Sequence, residues 1–455
     1  MGHFRMSSTR LAHRPVGVPR AARGRHRRLA WAVTSTAAAS MFVAPAAVAE
    51  TAVPASAAPA SSVTPAAIDL GTLGGTSGSA TAVNDRGQAV GFSTLAGEAA
   101  THAFSWTAMR GMVDLGTLGG SRSFAVAVND RGQVVGFSTL AGEAATHAFS
   151  WTAKRGMVDL GTLGGTGSSA AAINESGQVV GGSSTAGDAA THAFLWTAKG
   201  GMVDLGTLGG TGSSAAAIND RSEVAGGSSI AGDAGGGHAF SWTAADGMVD
   251  LGALPDFAGG RGFSVAVAVN ERGQVVGRSA TARFHGAHAV SWTGGSGLVD
   301  LGALPLDVFS EAVALNADGQ VVGNSAGPFS EHGFSWTAAG GMVEVTEPGS
   351  LESNAAAVND RGQVVGSSRG LSFNHAFVWT AGGGMVDLGN LGGSFGEAAA
   401  INDRGVVVGR SATTGDAATH AVMWTVSSKR DEDRTDDRHG GDGPSGTDER
   451  ATPES

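Results

Sequence analysis

The stretch DLGTLGGSRSFAVAVNDRGQVVGFSTLAGEAATHAFSWTAKRGMV, residues 114–158, decides the fold because the chain repeats it. Its leading Asp recurs as Asp69, Asp114, Asp159, Asp204, Asp250 and Asp300, is replaced by Glu344, and returns as Asp387, at spacings of 43 to 50 residues. An Asn recurs eight times, at Asn84, Asn129, Asn174, Asn219, Asn270, Asn316, Asn359 and Asn402. A Trp-Thr pair follows the same rhythm, from Trp106 to Trp424. Such a period marks one supersecondary unit that buries its apolar faces only against its neighbours.

Each unit parses into four short strands. Phe124–Val128 alternates apolar and small residues and runs into Asn129-Asp130-Arg131-Gly132, a hairpin turn. Gln133–Phe137 is the return strand. The third, His147–Thr152, carries Phe149 and Trp151 on alternate positions, and Met157–Leu160 is the fourth. Alanine in the first strand favours a helix intrinsically, but Gly-bounded runs this short leave no room for one.

Four strands every ~45 residues match the blade of a β-propeller; a parallel β-helix is the competitor, with shorter coils. The ends of the repeat region favour the propeller. A fourth-type strand, Ala67–Gly71, precedes the first complete unit, and the last unit stops after Met423-Trp424-Thr425 without a fourth strand. The strands balance only if the N-terminal one completes the last unit. The expectation is therefore an all-β, eight-bladed β-propeller over residues 66–426, closed by its N-terminal strand. Closure removes the free sheet edges that an open array must otherwise cap.

The recurrent His-Ala-Phe-x-Trp, Asp-Leu-Gly and Asn-Asp-x-Gly-x-Val-Val-Gly resemble the HAF family of extracellular repeat proteins. The resemblance covers residues 66–426. It is weaker in the fifth to seventh copies; the fifth and eighth read His-Ala-Val and the sixth His-Gly-Phe. It implies an exported bacterial repeat protein and supplies no activity or catalytic residue.

The flanks differ in composition. Residues 1–49 hold eight arginines and no acid, and an apolar run from Leu29 to about Val43 precedes Ala47-Val48-Ala49. That is the pattern of a secretory signal peptide, not of an anchor, since the run is interrupted by Thr34, Ser35, Thr36 and Ser40. Arg27-Arg28 leaves the twin-arginine route open beside the general one. Residues 50–65 read as a flexible Pro/Ala/Ser linker and 427–455 as a disordered charged tail. Of 29 basic residues eight belong to the signal, so 21 remain against 40 acidic ones, a balance of −19. A mature chain this acidic lacks the footprint of a nucleic-acid binder and is repelled by anionic lipid. With no Cys there is no disulfide and no thiolate metal site. The expected product is secreted, monomeric and without stable membrane insertion.

The repeated His102, His147, His192, His238, His288, His332, His375 and His420 could form a metal-binding ring. A residue present once per unit on the same strand is expected instead to tie a loop by hydrogen bonds. The repeated Asp and Asn fit turn chemistry. Calcium at Gly97-Glu98 or Gly187-Asp188 would find one carboxylate per loop, too few for a built site. The Gly-rich string from Gly161 has no following helix to hold a phosphate, and Gly366-Ser367-Ser368-Arg369-Gly370 does not lie on a strand-to-helix elbow. No metal, cofactor or catalytic residue is expected.

Specific function should reside where copies depart from the repeat. The tight turns between first and second and between third and fourth strands share one rim; the longer links share the other. Copies five to seven place Phe257, Arg261, Phe263, Arg283, Phe284, His285, Phe309, Glu311, Phe329 and Glu331 on those links. Aromatics beside charges fit a surface for an extracellular protein or glycan, although simple drift of loop sequence would give the same variation. The expected function is a binding module without catalysis. The alternatives are a propeller-type hydrolase or lyase using Glu311, Glu331, Asp256 and His285 as acid and base, and a structural cell-surface protein.

Overall fold

A computed structural model describes residues 65–426 except 144, 233–235, 256–261, 282–285, 329, 348–349 and 371–373. The signal peptide, residues 50–64 of the linker and the charged tail lie outside the described residues. The protein is all-β, built of four-stranded antiparallel units, four of which are joined by single parallel bridges into one 16-stranded sheet, and among the described residues its helical segments are two short 3-10 turns.

An N-terminal strand, β1 (Ile68–Gly71), precedes two complete repeats, β2 (Gly74–Val83), β3 (Ala89–Leu95), β4 (Thr101–Thr107), β5 (Gly111–Asp114) and β6 (Gly119–Val128), β7 (Val134–Leu140), β8 (Thr146–Thr152), β9 (Gly156–Asp159). In the second repeat the strands pair in order as a meander: Val134 opposite Val128, Trp151 opposite Val134, and Met157 opposite Trp151. Among the described residues the final repeat has three strands of its own. Its third strand, Thr419–Thr425, pairs instead with β1, Ile68 opposite Met423 and Asp69 opposite Val422.

The first strand is twice as long as the alternation predicts, because Gly119–Ser123 also extend along β7, with Gly119 opposite Leu140. Two glycines and a register shift erase the side-chain pattern there. Gln133 belongs to the turn, its N–H donating to Asn129 Oδ1 at 3.0 Å. Leu160 lies past its strand, yet its N–H donates to Ala148 and its side chain is buried.

The core lies between successive repeats. Ala82, Val90 and Ala103 of one sheet, with Leu115 just past its fourth strand, pack against Ala125, Val134 and Phe149 of the next. Ala127, Val135 and Ala148 then face Leu160, Ile173, Val179 and Phe194. Adjacent residues of a strand thus serve opposite neighbours, the period-two consequence of a pleat buried on both sides. Alanine opposite a fully buried phenylalanine keeps the sheets close, each such ring contributing about 2–3 kcal/mol of burial. The first repeat packs in the same way on the last: Ala80, Val83 and Phe104 against Leu70 of β1, Val408, Ala421 and Met423.

One glycine per repeat is dictated by contact. A Cβ on Gly136 would lie 1.9 Å from the Phe124 carbonyl, at the point where the β6–β7 register shifts. In the hairpin turn, Gly132 takes φ +77°, a left-handed conformation open to glycine at no steric expense.

Candidate functional site

The repeated histidines are engaged inside their own repeats. His147 Nδ1, at the start of β8, lies 2.9 Å from Asp159 at the end of β9, whose Oδ1 also accepts the N–H of Gly161 at 2.7 Å. The same pair joins His102 to Asp114, His192 to Asp204, His238 to Asp250, His288 to Asp300, His332 to Glu344 and His375 to Asp387. In the last repeat His420 reaches Asp69 of β1. Burial raises the Asp300 carboxyl, but hydrogen bonds from His288 and Gly302 outweigh it and leave the group below its ordinary range. The pairs tie the third strand to the fourth and to the turn beyond. Among the described residues no three His, Asp or Glu side chains converge as a metal site.

The hairpin asparagines act both within and between repeats. Asn129 Oδ1 accepts the N–H of Gln133, while its Nδ2 donates to the carbonyl of Asn174 in the next repeat at 3.1 Å. The series continues repeat by repeat to Asn402, whose Nδ2 donates to Asn84. Sequence reading assigned these residues to turns and missed the second bond, which needs the neighbouring repeat.

A second series runs beside it. Asp130 accepts the N–H of Asp85, Glu175 that of Asp130, Asp220 that of Glu175, and Asp403 that of Asp360, all at 2.8–2.9 Å. The sixth repeat carries Ala317 in place of an acid. Asp220, Glu271, Asp360 and Asp403, with the asparagines from Asn174 to Asn359, border a narrow cavity of about 50 Å³. Burial, with the nearby charges of Asp360 and Asp85, pushes the Asp403 carboxyl up to about 6. Burial likewise raises Glu175, helped by Asp130 and Asp220.

The loop acids that invited calcium are also engaged. Glu98 takes φ +60° and accepts hydrogen bonds from the Thr94 hydroxyl and the Thr76 N–H, which hold its carboxyl low, and its counterpart Glu143 does the same with Thr139 and Ser121. Asp188 accepts the N–H of Thr166 at 2.7 Å. They brace the start of each long first strand.

Of the variant-rim candidates, Phe257, Arg261, Arg283, Phe284, His285 and Phe329, with Asp256, lie outside the described residues. Phe263 is 38% exposed and walls an open groove of about 450 Å³ between the fourth and fifth repeats, beside Gly212, Ser214, Gly227 and Ser229. Phe309 begins the first strand of the sixth repeat. Glu311 forms an ion pair with Arg278 at 2.7 Å. Glu331 is exposed at the start of its strand; partial desolvation, then the charges of Glu311 and Glu352, raise its carboxyl. Glu311, Glu331 and Glu352 are therefore electrostatic neighbours, and Phe263 belongs to a separate groove.

No protein-family profile and no curated protein matches this chain. Solved structures do. A puromycin hydrolase is 13% identical, with a TM-score of 0.44 over 75% of this chain and 59% of its own. Porphyromonas gingivalis dipeptidyl peptidase 4 is 11% identical, with a TM-score of 0.49 over 75% of this chain and 57% of its own. TolB from Acinetobacter baumannii is 10% identical, with a TM-score of 0.36 over 66% and 78%. The chain spans little more than half the length of the two hydrolytic proteins. Similarity at this level concerns the fold alone and transfers no site residue.

Proposed function

We propose that this chain is an eight-bladed β-propeller, closed by β1, that is exported and acts as a binding module for an extracellular protein or glycan without catalysis of its own. The β1 pairing with Thr419–Thr425 and the asparagine series that returns to Asn84 support closure. The Arg-rich, then apolar N-terminus and the HAF-like repeats support export. The observation that carries the binding reading is the open groove walled by Phe263 on the rim where copies diverge. An exposed aromatic over a floor of glycine and serine offers a flat, adaptable contact surface. The repeated titratable groups hold strands and turns together, and Glu311 is paired with Arg278. The test is a glycan array and pull-down with the secreted chain beside Phe263→Ala; loss of a captured partner in the variant supports the reading, and capture indifferent to Phe263 removes it.

A hydrolytic reading draws on Glu331. A carboxyl raised by desolvation and then by the neighbouring charges of Glu311 and Glu352 is the pattern of a general acid. Screening ester, peptide and glycoside substrates with the wild type and Glu331→Gln decides it; activity abolished by the substitution establishes catalysis on this rim.

A further inference from the structure

On the rim opposite the Phe263 groove, the turns of the first two repeats border an open groove of about 560 Å³. Arg86, Arg110, Arg131 and Lys154 line it, together with Trp151 and Val113. The four cations are exposed, and among the described residues none forms an ion pair; the arginines that do are Arg272, Arg278, Arg369 and Arg410. No acid lines the groove. The adjoining Asp85 and Asp130 are buried, and each accepts a backbone N–H of the neighbouring repeat.

The equivalent groove of the fifth and sixth repeats has the same frame without the excess of positive charge, since Asp318, Asp360 and Arg361 line it. There Ser296 stands where the first repeat has Arg110, and Asp318 where the second has Arg131. Arg272, the counterpart of Arg86, is neutralised by Asp318 at 2.9 Å. In the first groove the partner position is another arginine, Arg131, whose charge acts on Glu175 of the third repeat without forming an ion pair, so positive charge is in excess where the fifth and sixth repeats build an ion pair. That arrangement costs stability in the free protein and is relieved by an anion. It stands out on a chain whose balance without residues 1–49 is −19.

We propose that this groove binds an acidic oligosaccharide, its carboxylates on the arginines and Lys154 and a sugar face on Trp151. Guanidinium groups match carboxylates in pairs. The partly exposed indole gives the apolar platform that a bare phosphate would not use, and the hydroxyls of Thr107 and Thr152 line the same groove for sugar hydroxyls. The acidic surroundings disfavour a long polyanion such as DNA or a bilayer surface, whose charge would extend past the groove. The inference rests on the binding-module reading but places a ligand on the other rim.

Titration calorimetry of the secreted chain with tetragalacturonate, maltotetraose and a DNA duplex tests it, beside Arg110→Ala/Lys154→Ala and Phe263→Ala. Arg110 and Lys154 each lie on an exposed turn of their own repeat, so the double variant keeps its fold. The expected result is saturable binding of tetragalacturonate alone, weakened about tenfold or more by the double variant and by added salt, and unchanged in Phe263→Ala. Equal binding of maltotetraose, tighter binding of DNA, indifference to the double substitution, or no binding of tetragalacturonate each overturns the proposal. If tetragalacturonate fails while an array ligand is captured through Phe263, this inference falls and the binding-module reading stands; if nothing binds in either assay, both fall.

Discussion

Asn402 donates its side-chain amide to the carbonyl of Asn84, 2.8 Å away and 318 residues distant in sequence. The last hairpin turn thereby uses the first in the way every other turn uses its successor. Because Asn402 Oδ1 also accepts the N–H groups of Arg404 and Val406, the residue satisfies buried backbone on both sides. Asn402→Ala should cost about 2–4 kcal/mol, read as a lower urea midpoint. The chain has no cysteine, so the pair Ile68→Cys/Met423→Cys gives a clean second readout. Air oxidation should join the two strands quantitatively by mass spectrometry; two free thiols in the folded variant would refute closure.

The adjacent glycines of the third repeat should respond in opposite ways. A Cβ on Gly181 would sit 2.0 Å from the Ser169 carbonyl, whereas one on Gly182 meets only the side chains of Ser214 and Thr191, at 3.2 Å and beyond. The first two repeats carry Phe92 and Phe137 at the second position. Gly181→Ala should lose at least ~2–3 kcal/mol and Gly182→Ala should stay within about 0.5–1 kcal/mol of wild type in chemical denaturation.

Asp403 should make the protein less stable at neutral than at mildly acidic pH. Its carboxyl holds a proton up to about 6 in the folded chain, against about 3.9 when unfolded. Between those values unfolding releases a proton, so stability falls as pH rises through the window. Asp403→Asn keeps the oxygen that accepts the Asp360 N–H and removes the charge. The variant should melt several degrees above wild type at pH 7 and close to it at pH 4.5. A melting difference that does not change with pH would refute this role.

The histidine pairs should behave as independent braces. His147→Ala and His288→Ala remove hydrogen bonds to half-exposed carboxylates and should each cost about 1 kcal/mol. The two lie three repeats apart, so the double variant should show their sum. A chelator should leave all four melting curves unmoved; a drop in the wild type alone would reveal a bound metal instead.

Strand number, turn chemistry and the pairing of repeats with neighbours were legible because Phe149, Trp151 and the Asn129–Gly132 turn carry strong local signals. The extra length of Gly119–Val128 was not, since glycine pairs show no alternation. Nor was the engagement of Glu143 with Ser121: the two are 22 residues apart and meet only when the loop folds over the first strand. The accumulation of Arg86 and Arg131 in one groove was equally hidden, because they stand 45 residues apart in a chain that is acidic overall.

Local chemistry, repeated, was enough by itself to specify an all-β chain of four-stranded units, because every strand and turn is set by residues within a few positions of it. Tertiary structure alone decided what the polar side chains do. His420 finds Asp69, and Asn402 finds Asn84, only once the whole array is in place. A hydrogen bond or a like-charge contact depends on distances of a few ångströms, and in this chain those distances are set by the stacking of sheets.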